Sequence, residues 1–350
     1  MKRTKKMTYH KPHNPDRTPD SIRENWLNNE RLFGDSVFRG ARKNDRFSRK
    51  MGHFLNGLID EVPNCSRLIA SNTKFRTWAS DLLVDAMLLQ EQRIPKEGSL
   101  YHVTIVNPED FTGDRVTEID WAKIRKRCAT VMNDLGPNFL GMGEVQATVN
   151  RQHKDGDVDC GRILSPHYHI LLWTTEKINC RKKGAQLSKR FPEDEGGVTP
   201  VRIVEFEKGK DDVCALARYI LKSPYKCKTL YQKNEYDADG SVVKTHKNQH
   251  ESPKGYTAVL HRRLAEINSL VELPDLMISG GEGVKLKNKL IGALKAIADV
   301  YRTDEGEDYS DERIEDFWRA VKKRSATKHY EPPVVRTKAS QSPRGPELFL

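Results

Sequence analysis

Between residues 99 and 222 the apolar spacing switches repeatedly between the two-residue period of a strand and the 3.6-residue period of a helix, which restricts the chain to few architectures. Residues 100–106 (LYHVTIV) alternate as a strand and stop at Asn107-Pro108. Residues 120–135 read as a helix, with Asp120 at the start and Gly136-Pro137 closing it. Residues 139–149 (FLGMGEVQATV) and 163–174 (ILSPHYHILLWT) predict two more strands around a polar loop over 150–160, and the glycines of the first mark a close approach to its backbone. A short helix over 184–190, a strand over 198–206 and a helix over 211–222, acidic in its first turn, complete the series. The order β-α-β-β-α-β-α predicts an α+β fold, with a mostly antiparallel sheet of split-βαβ (ferredoxin-like) type and helices on one face.

The flanks follow other rules. Residues 1–20, broken by Pro12, Pro15 and Pro19, read as a basic disordered tail, and 21–98 as a helical region. In that region Phe75, Trp78, Leu82, Leu83, Met87 and Leu88 recur at helical spacing over 74–92, ahead of Pro95. Residues 223–252 read as a lysine- and tyrosine-rich loop. Helical periodicity returns over 256–270, 284–301 and 311–324, so residues 227–325 are expected to form a loop and a helical appendage. Pro332-Pro333, Pro343 and Pro346 mark 326–350 as a flexible tail.

Sixty Lys and Arg stand against 49 Asp and Glu, a formal charge of +11 that points to a polyanionic partner such as nucleic acid. Residues 1–18 hold six basic residues against one acid, 36–51 six against one and 322–350 seven against two, so the remainder is net acidic. The middle cluster, Arg39, Arg42, Lys43, Arg46, Arg49 and Lys50, is interleaved with Phe38 and Phe47. It suits phosphate contacts and base stacking, or equally a solvated helix face. Lys226 adds a charge just beyond the 211–222 helix. No apolar run approaches the ~20 residues of a membrane span and none follows the basic start, so a cytoplasmic protein is expected. Six cysteines form no CxxC pair, which argues against a zinc ribbon or a disulfide framework.

Chemistry concentrates in two short segments. In Pro166-His167-Tyr168-His169-Ile170-Leu171-Leu172 strand alternation points His167 and His169 to one face and Tyr168 and Ile170 into the core. Two adjacent imidazoles form half of a divalent-metal site, and Glu144 or Gln146 on the preceding strand could complete it; two polar residues on a solvated face give the same pattern. A cupin would need a Glu where Trp173 and Thr174 stand, and a histidine-triad hydrolase a His at Leu171. On the 211–222 helix, Tyr219 and Lys222 share a face. A tyrosine with a cation nearby can act as a nucleophile, while a lone YxxK is more often a core anchor.

In this order the two segments resemble a known family. PHYHILL is similar to the His-hydrophobe-His motif of the HUH endonucleases, and ARYILK to the tyrosine motif of rolling-circle replication initiators of bacterial plasmids and single-stranded DNA phages. The strand 100–106 matches the family's first motif, so the likeness covers residues 99–226. It implies that His167 and His169 hold Mg²⁺ or Mn²⁺ with a third ligand, Glu144 with Gln146 in reserve. It also makes Tyr219 the nucleophile and Lys222 the positive partner of the phosphate. Two-tyrosine members carry a second tyrosine four residues on, where this chain has Ser223. Tyr225 lies past Pro224 and off Tyr219's face, so the resemblance implies the single-tyrosine type. No GxxxxGK[ST] motif is present, so unwinding would fall to a host helicase and synthesis to a host polymerase. The expected substrate is single-stranded or supercoiled origin DNA in a bacterial host. The alternatives are a relaxase, a single-tyrosine transposase, or a non-catalytic basic protein that binds nucleic acid.

Overall fold

A computed structural model describes residues 18–42, 49–94, 98–113, 118–149, 162–192, 199–206, 210–224, 227–237, 239, 242–251, 254–302 and 309–326. Helix α1 (Pro19–Arg42) opens on Pro19, whose missing N–H has no intrahelical partner to lose there, and α2 (Arg49–Asp60) follows. The Asn72 side chain accepts from the Phe75 N–H to cap α3 (Thr73–Glu91). Strand β1 (Ser99–Val106) leads through a 3-10 turn (Pro108–Asp110) to the two-residue β2 (Thr112–Gly113). Asp120 caps α4 (Trp121–Asn133), and the chain then forms β3 (Phe139–Val149), β4 (Arg162–Thr174), α5 (Cys180–Ser188), β5 (Val201–Phe206) and α6 (Lys210–Leu221). The remainder comprises β6 (Lys228–Tyr236), β7 (Val242–Glu251), α7 (Lys254–Asn268), α8 (Leu273–Leu276), β8 (Met277–Gly280), α9 (Glu282–Tyr301) and α10 (Asp311–Ala326).

The architecture is the expected α+β one. The sheet runs β5-β1-β4-β3-β6-β7, with β2 also on β4 and β8 also on β3. All its pairings are antiparallel except β3 with β6, which meet in parallel only at Thr148 and Val149. β4 separates β1 from β3, and β1 separates β4 from β5, so two βαβ units interleave in the split manner. Alternation gives the sheet two faces. His102, Thr104, Met142, Glu144, His167 and His169 share one; Tyr101, Val103, Gly143, Val145, Tyr168 and Ile170 share the other. α4 covers the second face: Trp121 meets Tyr168 edge-on with ring centres 5.8 Å apart, and a Cβ at Gly143 would fall 2.5 Å from its ring. To this the structure adds α6 on the histidine face, because Tyr219 rests on His169.

Several boundaries move. Pro19 and Asp20 belong to α1, which continues into the basic cluster as far as Arg42. The expected loop over 223–252 is instead the β6–β7 hairpin; its sequences, KTLYQKNEY and VVKTHKNQHE, lack the apolar alternation that marks a half-buried strand, and cross-strand pairing makes them strands. The expected boundaries at 98/99 and 226/227 are not boundaries of packing. One apolar core runs from Leu68 to Ala298, taking in Leu276, Met277 and Ile278 around β8. A second core joins Phe33 and Val37 of α1, Leu55 and Leu58 of α2, Ala265 of α7 and Ile314 and Phe317 of α10. The N- and C-terminal helices therefore form one layer, and no helix among the described residues is long and apolar enough to cross a membrane. The expected tails over 1–17 and 327–350 and the expected loop over 150–160 lie outside the described residues.

Candidate metal centre and nucleophile

The β3–β4 register sets Glu144 opposite His167, and the β1–β4 register sets Thr104 opposite His169. Glu144, His167 and His169 each bring a ligand atom to one point: the three atoms lie within 4.8 Å of one another. His169 Nε2 is 3.1 Å from Glu144 Oε2 and 3.1 Å from His167 Nε2, and His167 Nε2 is 3.8 Å from the same carboxylate oxygen. Two ligands at right angles around an ion bound at ~2.1 Å stand about 3.0 Å apart, so the donor set fits a divalent cation. All three residues are buried. Gln146 faces the same way two residues on, but it pairs with Ser165 rather than with a histidine, and its amide lies 3.5 Å from Thr148 Oγ1.

Protonation is set by the surroundings. Burial raises the Glu144 carboxyl, but the Lys222 ammonium, the His169 hydrogen bond and the histidine charges outweigh it and hold Glu144 far below the ordinary carboxylate range. Burial first, then the Lys222 charge, holds His169 well below the usual imidazole value. His169 is thus neutral at neutral pH, and its contact with Glu144 is a hydrogen bond rather than an ion pair. An anionic carboxylate and neutral imidazoles are the forms that bind metals. His167 Nδ1–H donates to the Ser165 carbonyl at 2.9 Å, which leaves the Nε2 lone pair aimed into the cluster.

Tyr219 reaches this point from α6. Its ring centre is 4.8 Å from that of His169 and 5.5 Å from that of His102, and the residue is 43% exposed, so a substrate has access to it. Lys222 Nζ sits 3.9 Å above the Tyr219 ring and forms an ion pair with Glu144. The cation thus stands between the carboxylate and the phenol.

The C-terminal end of α6 is held by residues far away in sequence. Trp26 Nε1–H donates to the Arg218 carbonyl at 3.0 Å, and buried Arg76 donates to the carbonyls of Leu221 (3.1 Å) and Lys222 (3.2 Å). Arg218 itself donates to Ser80 Oγ and Asp81 of α3. Buried Glu30 accepts from the Ser223 N–H at 2.7 Å and from the Ser223 hydroxyl. Ser223, just past the end of α6, is therefore buried and tied to α1.

Sequence reasoning brought together Glu144, His167, His169, Tyr219 and Lys222, and the structure gathers all five. It missed His102, Trp26, Glu30 and Arg76, whose partners only the tertiary fold supplies. Of the basic residues expected to bind DNA, Arg39 is exposed on α1, Arg42 closes α1, and Arg49 and Lys50 open α2. Lys43, Arg46, Tyr225 and Lys226 lie outside the described residues. No family model, curated protein or solved structure matches the chain.

Proposed function

We propose that this protein is a metal-dependent endonuclease and strand transferase of the HUH type, which nicks single-stranded DNA at an origin and so starts rolling-circle replication. One observation carries the reading. A buried His-His-Glu cluster stands against an accessible tyrosine, with a lysine between them. Glu144, His167 and His169 would hold Mg²⁺ or Mn²⁺, which when bound supplies positive charge to polarise the scissile phosphate. Tyr219 Oη attacks phosphorus and releases its proton to water, and the bond to the 3' oxygen breaks. That oxygen takes a proton from water and becomes the 3'-OH that primes synthesis, while the 5' phosphate stays on Tyr219 as a phosphodiester. The ester keeps the bond energy, so rejoining needs no ATP. Lys222 lies over the Tyr219 ring and pairs with Glu144, and its charge would serve as the positive partner of the scissile phosphate. Host helicase and polymerase are the partners such a protein needs, and a bacterial cytoplasm is where they would meet it.

The test is incubation of wild type and Tyr219→Phe with single-stranded origin oligonucleotides and Mn²⁺, followed by a denaturing gel. Wild type is expected to form a covalent adduct and Tyr219→Phe none. An adduct with both proteins, or with neither, sinks the reading. DNA binding that persists without metal and without any adduct would mark a non-catalytic nucleic-acid-binding protein instead.

A further inference from the structure

His102 lies on β1, one strand over from the metal ligands, and takes no part in the cluster. Its Nε2 is 3.1 Å from His169 Nδ1, the ring nitrogen turned away from Glu144. Thr104 Oγ1 is 3.4 Å from the same nitrogen, at the outer limit of a hydrogen bond. The His102 ring is fixed by neighbours, with the Phe206 ring centre 6.1 Å away and the Tyr219 ring centre 5.5 Å away, both edge-on. A neutral imidazole nitrogen can present either a proton or a lone pair, according to tautomer.

That property matters because His169 needs opposite partners in two states. While Glu144 accepts from His169 Nε2 at 3.1 Å, the ring carries its proton there, and Nδ1 must accept. When Nε2 gives its lone pair to a cation, the ring must carry its proton on Nδ1, which must then donate. Thr104 is too distant to hold either arrangement firmly, and a carboxylate could serve only the second.

Resting on the metal-centre reading above, we infer that His102 is the positioning residue of the centre, whose Nε2 donates to His169 Nδ1 in the metal-free protein and accepts from it in the loaded one. The proton balance closes. His169 Nε2 releases one proton, His169 Nδ1 takes the proton from His102 Nε2 along their hydrogen bond, and His102 takes one from water at Nδ1. Neither ring becomes charged.

The test uses the full chain with diamagnetic Zn²⁺ as the probe and reads ring tautomers from long-range ¹H–¹⁵N spectra. On addition of Zn²⁺, His102 is expected to change from the Nε2–H to the Nδ1–H tautomer as His167 and His169 take up the metal. Ligand shifts with an unchanged His102 overturn the inference and leave the metal centre standing. Unmoved His167 and His169 overturn both. Manganese affinity, read by electron paramagnetic resonance, provides the second arm. His102→Phe keeps a ring against Phe206 and Tyr219 but loses the hydrogen bond, so Mn²⁺ should bind about 10–100-fold more weakly. His102→Gln should bind nearly as wild type does, because its amide can turn either N–H or C=O toward His169. Equal affinity of the Phe variant and wild type, or a loss with Gln as large as with Phe, would overturn the role.

Discussion

The strands that carry the metal ligands and the helix that carries the tyrosine reach one point by different means. His167, His169 and Glu144 sit on paired neighbouring strands, and the ladder fixes their spacing once the register is chosen. Tyr219 sits on α6 and Lys222 directly follows it, and the end of the helix with the two residues after it is hydrogen-bonded to Trp26, Glu30 and Arg76 from α1 and α3. The ligand half is therefore rigid for local reasons. The tyrosine half is as rigid as the contacts between distant segments allow, so the two should fail independently.

Four substitutions probe that separation. The largest effect is expected from Tyr219→Phe, which should eliminate the covalent adduct while Mn²⁺ binding stays near the wild-type level; a parallel loss of metal would show the two halves to be one unit. His167→Ala should lower Mn²⁺ affinity by about two orders of magnitude, since a lost ligand costs at least as much as a lost outer partner. Titration followed by paramagnetic resonance checks this, and near-normal affinity would mean that the histidines hold no metal. Glu30→Ala leaves the Ser223 N–H and hydroxyl buried without their acceptor, and should cost about 2–3 kcal/mol in urea unfolding. It should slow adduct formation with Mn²⁺ affinity unchanged, and an unchanged rate would remove α1 from the positioning of Tyr219. Asp120→Ala removes the exposed cap of α4 on the other face of the sheet. About 1 kcal/mol of stability should go, with metal binding and adduct yield both intact.

The Lys222 ammonium and the His169 hydrogen bond, which outweigh the burial of Glu144, add a pH dependence to the ligand half. Its carboxyl lies below the unfolded value, so the stability it contributes is full above the ordinary carboxylate range and falls as pH drops through that range toward the folded value. Glu144→Gln should flatten the acid limb of a urea-stability profile, and an unaltered limb would show the carboxylate to be unlinked to folding.

How much of this could be read in advance follows from range. The strands 100–106, 139–149 and 163–174 and the helices over 74–92 and 120–135 were legible because each has an apolar period of its own, and the structure places them within a few residues of those bounds. Glu144 and Gln146 could both be placed opposite the histidines because a hairpin relates neighbouring strands directly, and the register pairs Glu144 with His167. Strands β6 and β7 were not legible, since both are polar along their length and owe their form to each other. β8 escaped notice for a related reason: four residues, MISG, become a strand by pairing with Phe139–Met142.

Chain alternation alone put His167 and His169 side by side, and the helical repeat put Tyr219 and Lys222 on one face. Only the tertiary structure set Glu144 rather than Gln146 opposite His167, brought Tyr219 onto His169, turned His102 toward Nδ1 and set Glu30 under Ser223. The reason is physical. Side-chain direction within one element follows from backbone geometry that a short stretch of sequence fixes, whereas contacts across 67 or 193 residues depend on register and burial summed over the whole core.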